Sequence, residues 1–214
     1  MIKIVLLDFD GTIANTAPLI IKTMRETLHV LGLESRTPEQ CSSMIGLPLK
    51  ETFTKLIPMS DEMGDRCAET YRRLFDKNNT PDATVLFPGV KETLQQLHKQ
   101  GMMLTIATSR GSDTLITFLN DFGLRPYISL IMSADTVTHA KPHPEPVLTT
   151  LRQTGFKKDE ALVVGDTSFD ILMGKRAGVH TCGVTYGNGT KKQLIDSGAE
   201  HIINRFSSLL TIIG

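Results

Sequence analysis

The chain has 214 residues, enough for one large domain or for a core domain carrying a smaller one. Hydrophobic residues at 40% and charged residues at 21% exclude a disordered chain. Lys and Arg number 23 and Asp and Glu number 23, so no net charge favours a nucleic-acid or membrane-surface partner. Cys41, Cys67 and Cys182 are odd in number and form no C-x-x-C pair, which argues against a disulfide framework or a zinc site and fits a reducing cytoplasm. No apolar run approaches the ~20 residues of a membrane helix. The apolar start is interrupted at Asp8 and Asp10, so it makes a poor secretory signal. Nothing in the sequence sets an oligomeric state.

In chain order, Ile2 to Leu7 reads as a short buried strand ending in Asp-Phe-Asp-Gly. From about Ala17 to Pro81 the pattern is helical throughout: Ile20, Met24 and Leu28 repeat every four residues, as do Met63, Cys67 and Tyr71. Val90, Leu94 and Leu97 mark a helix stopped at Gly101, before a strand at Met103–Ala107. Ser112 is placed to cap a helix carrying Leu115, Leu119 and Phe122. A strand follows at Ile128–Met132, and a helix runs from Pro144 through Val147, Leu148 and Leu151 to Gly155. Two more strands are expected at Ala161–Val164 and Thr181–Val184.

Strands alternating with helices predict a mostly parallel, doubly wound α/β sheet covered on both faces. The long helical stretch after the first strand predicts a second domain inserted there. The expected division is an α/β core of residues 1–16 and 82–214, with residues 17–81 as the helical insert. Asn15–Ala17 and Asn78–Pro88 are the expected linkers.

Asp8 and Asp10, followed by Gly11 and Thr12, stand at the carboxyl end of the first strand, the edge where open parallel sheets bind ligands. Ala161–Val164 runs into Gly165-Asp166-Thr167-Ser168-Phe169-Asp170 and delivers more acidic groups to the same rim. Two carboxylates ~4 Å apart repel by roughly 4 kcal/mol at an effective dielectric of 20, so such a cluster needs protons or a cation. Oxygen ligands without Cys or His favour magnesium over zinc. The alternative for Asp166 is a cap on the helix containing Ile171 and Leu172. Thr108-Ser109-Arg110 ends the second core strand, where a hydroxyl and backbone amides suit phosphoryl oxygens. Lys141, in a stretch stiffened by Pro142, Pro144 and Pro146, can offset negative charge there.

These segments together resemble the haloacid dehalogenase superfamily of phosphotransferases. Asp8-Phe-Asp-Gly-Thr12 is similar to its D-x-D-G-T signature, Thr108 to its strand-end Ser/Thr, Lys141 to its K-P-x-P lysine, and Gly165-Asp166 with Asp170 to its G-D-x-x-x-D. The helical insert resembles the cap of the subclass containing phosphoglycolate phosphatase and β-phosphoglucomutase, to which Gly46-Leu-Pro-Leu49 and Phe87-Pro-Gly-Val90 are also similar. The resemblance implies that Asp8 is a nucleophile forming an aspartyl phosphate and that Asp10 is a general acid and base. It implies Mg²⁺ held by Asp8, the Asp10 carbonyl and Asp166, with Asp170 in support. Thr108, the Ser109 amide and Lys141 are implied to neutralise the transferring phosphoryl oxygens, with Gly46 and Lys50 as insert residues at the substrate.

The implied activity is hydrolysis of a small phosphorylated metabolite, with phosphoglycolate phosphatases as the model. Asn15-Thr16 and Lys-Pro-His-Pro-Glu-Pro resemble pyrophosphatases of the PpaX type as much. Leu47, Pro48 and Lys50 stand where β-phosphoglucomutases commonly carry an arginine, which lowers the mutase reading. In a different class, signalling receivers also assemble acidic groups, Ser/Thr and Lys on a doubly wound sheet, but their domain is shorter and lacks an aspartate two residues past the acceptor.

Other residues have plain readings. His139 and His143 flank Pro142 and read as loop surface, Gly187-Asn-Gly189 as a turn, and Met44, Met59 and Met63 as core filler. Lys50 and Arg110 could meet an acidic substrate group, although a solvated surface side chain is the ordinary expectation for each.

Overall fold

The computed structural model describes residues 1–213. Strand β1 (Ile4–Leu7) is four aliphatic residues whose side chains alternate between the two faces of a sheet. Val5 and Leu7 enter one hydrophobic cluster, while Ile4 and Leu6 enter a second on the opposite face. All four are fully buried, as the unbroken aliphatic run requires.

The chain then forms β2 (Ala14–Asn15) and four helices, α1 (Ala17–Val30), α2 (Pro38–Ser42), α3 (Leu49–Leu56) and α4 (Asp61–Asn78), before β3 (Val85–Leu86). The remainder alternates: α5 (Val90–Lys99), β4 (Met103–Ala107), α6 (Ser112–Asp121), β5 (Ile128–Met132), α7 (Glu145–Thr154), β6 (Ala161–Gly165), α8 (Ser168–Ala177), β7 (His180–Val184), α9 (Lys191–Asp196), β8 (His201–Ile203) and α10 (Leu209–Ile213). Six strands form one parallel sheet in the order β5-β4-β1-β6-β7-β8. Strand order reverses beside β1, where successive connections leave in opposite directions and open a crevice at the strand ends. The doubly wound α/β class expected from the alternation is the class observed.

Several local expectations change. β1 starts two residues later than Ile2, β6 runs on to Gly165, and β7 begins at His180. The short strand β8 is new: three residues with a single buried member, Ile203, carry too little periodicity to read. The two expected linkers meet where Asn15 lies opposite Val85, and with Ala14, just before the first of them, opposite Leu86 they form a small antiparallel ribbon. Helix α4 also continues to Asn78, the start of the expected second linker.

Ser112 is the first residue of α6 and not its cap. Gly111 holds that position, and the Asp135 carboxylate accepts from Ser112 N at 3.0 Å and Ser112 Oγ at 2.7 Å. An acceptor from another loop therefore satisfies a free amide of the first turn.

The helices between β2 and β3 are not a separate oil drop. Met24, Leu28, Cys67, Tyr71 and Phe75 belong to the same buried cluster as Val5, Leu7 and Phe118, with Met44, Met59 and Met63 packed at its edge. Aromatic rings carry the contact: Phe75 meets Phe118 edge to face at 6.4 Å, and Phe9 stacks on Phe118 at 5.7 Å.

Leu97, fully buried on α5, should lose about 2–5 kcal/mol of stability on substitution by Ala, whereas Ile195→Ala on the exposed part of α9 should change it by under about 0.5 kcal/mol. Urea unfolding of both variants measures this, and equal losses would contradict the assigned core.

Candidate active site

Register places the site. Leu7 lies opposite Val164 on one side and Ile106 on the other, and Asp8 N donates to Val164 O at 2.9 Å. Asp8 therefore leaves β1 beside the point where β6 ends in Gly165 and Asp166. Thr108 follows β4 on the other flank and is buried, with its N–H donating to Met132 O at 2.9 Å.

Asp8, Asp166 and Asp170 converge: one carboxylate oxygen from each lies within 4.8 Å of the others, and all three side chains are buried. Lys141 reaches in from the loop before α7, donating to Asp8 Oδ1 at 2.5 Å and Asp170 Oδ1 at 2.6 Å. Its side chain is 2% exposed. Asp170 is also tied at its other oxygen, accepting from Thr167 N at 3.1 Å and Thr167 Oγ1 at 2.7 Å. It thus reaches back across the first turn of α8 as the third residue after the cap position.

Asp166 does not cap α8, because Thr167 occupies the cap position. Its Oδ2 accepts from Asn188 N at 2.6 Å and Asn188 Nδ2 at 2.9 Å, and its Oδ1 from Thr12 Oγ1 at 3.3 Å. Asn188 belongs to the Gly187–Gly189 segment, whose turn sits against the acidic cluster. A Cβ on Gly187 would come within 2.4 Å of Asp166, and one on Gly189 within 2.1 Å of the Asp166 carbonyl. Gly11, at φ +87°, would place a Cβ 2.2 Å from Asp166 Oδ2. Only a chain without side chains at these points can approach so closely. Asn188 and Asp166 are 22 residues apart and lie in different loops, so the pair of flanking glycines is the one local sign of the contact.

Three buried carboxylates against one ammonium leave two negative charges uncompensated. Burial pushes Asp8 well above the usual carboxylate range, Lys141 opposes the shift, and Asp170, Asp166 and Asp10 add to it. Burial raises Asp166 to about 7, with Asp170 adding and the Asn188 amide opposing. Burial opposes the charge on Lys141, yet Asp170 and Asp8 hold it protonated above the ordinary lysine range. An oxygen-only donor set with two surplus negative charges fits a hard divalent cation.

Asp10 stands apart from that cluster. Its carboxylate accepts from Arg110 Nε at 3.1 Å and Arg110 Nη2 at 2.6 Å. Arg110 is not the solvated side chain expected: it is 8% exposed, with its guanidinium over the rings of Phe75 and Phe118 at 5.0 Å each and of Phe9 at 5.9 Å. A planar cation stacks on aromatic faces while its edge donates, which is why burial does not discharge it.

Gly46 and Ser109 are brought together, with Ser109 Oγ donating to Gly46 O at 2.7 Å. Lys50 is engaged by Asp61 at 2.7 Å and Asp65 at 2.9 Å, both on α4. Asp8, Asp10, Gly46, Lys50, Thr108, Ser109 and Arg110 all line one cavity of about 630 Å³ between the sheet edge and helices α3 and α4. His139 and His143 lie on the exposed loop, with His139 Nδ1 2.7 Å from Glu145 Oε2.

The family model described as haloacid dehalogenase-like hydrolase matches residues 5–184. The protein named Pyrophosphatase PpaX of Anoxybacillus flavithermus is 36% identical over 214 residues, covering 100% of this chain and 97% of its own. The protein named Probable phosphatase IndB of Dickeya dadantii is 34% identical, covering 98% of this chain and 93% of its own. In fold, a crystal structure from Haemophilus somnus described as a predicted phosphoglycolate phosphatase superposes with a TM-score of 0.91 at 23% identity, covering 100% of this chain and 98% of its own. The signature aspartates, the parallel sheet and these full-length matches agree: the chain belongs to the haloacid dehalogenase-like hydrolase family and is a phosphatase-type hydrolase.

Proposed function

We propose that the protein is a Mg²⁺-dependent phosphohydrolase of a small phosphorylated metabolite, working through an aspartyl phosphate on Asp8. The observation that carries this reading is Asp8 itself, a buried carboxylate at a strand end whose one cationic partner is Lys141. Asp8 Oδ attacks phosphorus in line, forming an O–P bond as the bond to the leaving oxygen breaks. Asp10 gives a proton to that oxygen and then takes one from the water that hydrolyses the aspartyl phosphate. Lys141, Thr108 and the Ser109 amide neutralise phosphoryl oxygens. Asp8, the Asp10 carbonyl and Asp166, supported by Asp170, would hold Mg²⁺. When bound, the ion screens the phosphate from these carboxylates and polarises a phosphoryl oxygen.

In this reading residues 17–81 are a cap domain over a core of residues 1–16 and 82–214, with Gly46 and Lys50 in the cap wall of the substrate cavity. Ser109 Oγ bonded to Gly46 O supports it, as a contact from the core rim to that wall. A second reading, hydrolysis of pyrophosphate, is favoured by whole-length identity of 32–36% to proteins named Pyrophosphatase PpaX. The mutase reading has less support, since Lys50 is committed to Asp61 and Asp65. Assignment to the phosphatase-type hydrolases replaces the receiver alternative. Cys41, Cys67 and Cys182 are free and buried, and no described helix is long and apolar enough to cross a membrane; both support a cytoplasmic location.

Phosphate release from p-nitrophenyl phosphate, phosphoglycolate and pyrophosphate, with and without Mg²⁺, tests the reading. Asp8→Asn should lower kcat by about 10³-fold or more while keeping the native fold by circular dichroism. Full activity in that variant would end the proposal.

The raised Asp166 also predicts pH dependence. Without metal, the folded chain holds a proton that the unfolded chain releases near pH 4, so stability should fall as pH rises from about 4 through about 7. Mg²⁺ must displace that proton, so its affinity should weaken by roughly tenfold per pH unit below 7. Calorimetric titration with Mg²⁺ across pH 5.5–7.5 reads this directly, and a pH-independent affinity would refute it.

A further inference from the structure

We propose that Arg110 is the subsite for a second anionic group on the substrate, so that preferred substrates carry the transferring phosphoryl beside another phosphate or a carboxylate. The inference rests on the phosphohydrolase reading above and narrows its substrate class.

The cations lining the cavity are Lys50, Arg72 and Arg110. Lys50 is occupied by two aspartates, and Arg72 is exposed on α4, free to sample many rotamers. Arg110 alone is both buried and fixed, its plane held by Phe75 of α4 and by Phe9 and Phe118 of the α/β part. A pre-set guanidinium loses little freedom on capturing an anion, and its fork matches carboxylate and phosphate edges.

Its donors are only partly used. Nε and Nη2 bind Asp10, and Nη1 has no hydrogen-bond partner among the described residues. The only sealed and unbonded side-chain polar atoms among those residues are Thr16 Oγ1 and Thr84 Oγ1, so Nη1 is not sealed, and since Arg110 lines the cavity it is the donor assigned to a ligand there. The donors that do bind hold Asp10, two residues from the proposed nucleophile. A group reaching Nη1 is therefore beside the leaving-group side of the reaction. An anion there also competes for the fork and loosens Asp10 for its work at the leaving oxygen. Asp76, Asp113 and Asp135 also line the cavity, so a simple excess of positive charge does not draw anions in; capture depends on this fixed cation.

The test compares kcat/KM for pyrophosphate, phosphoglycolate and ethyl phosphate at saturating Mg²⁺. Ethyl phosphate replaces the carboxylate of phosphoglycolate by a methyl group, and pyrophosphate against phosphoglycolate separates the two sources of the second anion. In the unaltered protein at least one doubly anionic substrate should exceed ethyl phosphate by about 10–100-fold, the scale of charge-assisted hydrogen bonds. Arg110→Gln should reduce that ratio to under about threefold, and Arg110→Lys should keep part of it, with thermal unfolding followed for both. A ratio near one in the unaltered protein, or equal losses on all three substrates in Arg110→Gln, would overturn the proposal. If Arg110→Gln does not fold, the unaltered protein and Arg110→Lys decide. Calorimetry of pyrophosphate against ethyl phosphate on the Asp8→Asn protein reads the subsite without turnover. Preferential binding there alongside absent hydrolysis in the unaltered protein would place the failure in the phosphohydrolase reading; equal binding would place it in the subsite.

Discussion

Unbalanced charge organises this molecule. Asp8, Asp166 and Asp170 are buried at one point with Lys141 as the single cation bridging two of them. Such an arrangement opposes folding, since each carboxylate loses water and faces like charge. The rest of the fold compensates for it. Thr12, Thr167 and Asn188 donate hydrogen bonds to carboxylate oxygens, and glycines at positions 11, 187 and 189 let backbone close around Asp166. A parallel sheet with aliphatic side chains on both faces supplies the rigid frame on which such strain persists.

Two electrostatic units coexist on this rim. The inner one is the acidic cluster with Lys141. The outer one is Asp10 with Arg110, whose charge is balanced pairwise and stacked among three aromatic rings. Because one of those rings, Phe75, comes from α4, the helices between β2 and β3 take part directly in positioning Asp10. One guanidinium thus joins a wall of the cavity to an acidic group at the sheet edge.

Much of this was legible in the chain. The aliphatic runs at residues 4–7, 103–107 and 161–165 identify buried parallel strands, because only such strands lack a polar face. The Asp-x-Asp-Gly and Gly-Asp-x-x-x-Asp spacings place acidic groups at two strand ends, and adjacency of β1 and β6 brings them together. The burial of Arg110 is not legible there, because it depends on rings at positions 9, 75 and 118, which no local pattern unites. Asn188 is hidden for the same reason: its glycine-flanked turn meets Asp166 only when β7 packs beside β6. Interactions set by periodicity are local and readable, whereas a side chain satisfied by distant partners is visible only after folding.

The ribbon formed by β2 and β3 has an evolutionary corollary. Ala14 faces Leu86 and Asn15 faces Val85, so the polypeptide departs from the sheet and rejoins it at a single doorway. A change of length between those doorposts shifts none of the six parallel strands, whose paired residues all lie outside that span. Diversification there meets one constraint, because a ring at position 75 stacks on the guanidinium that grips Asp10.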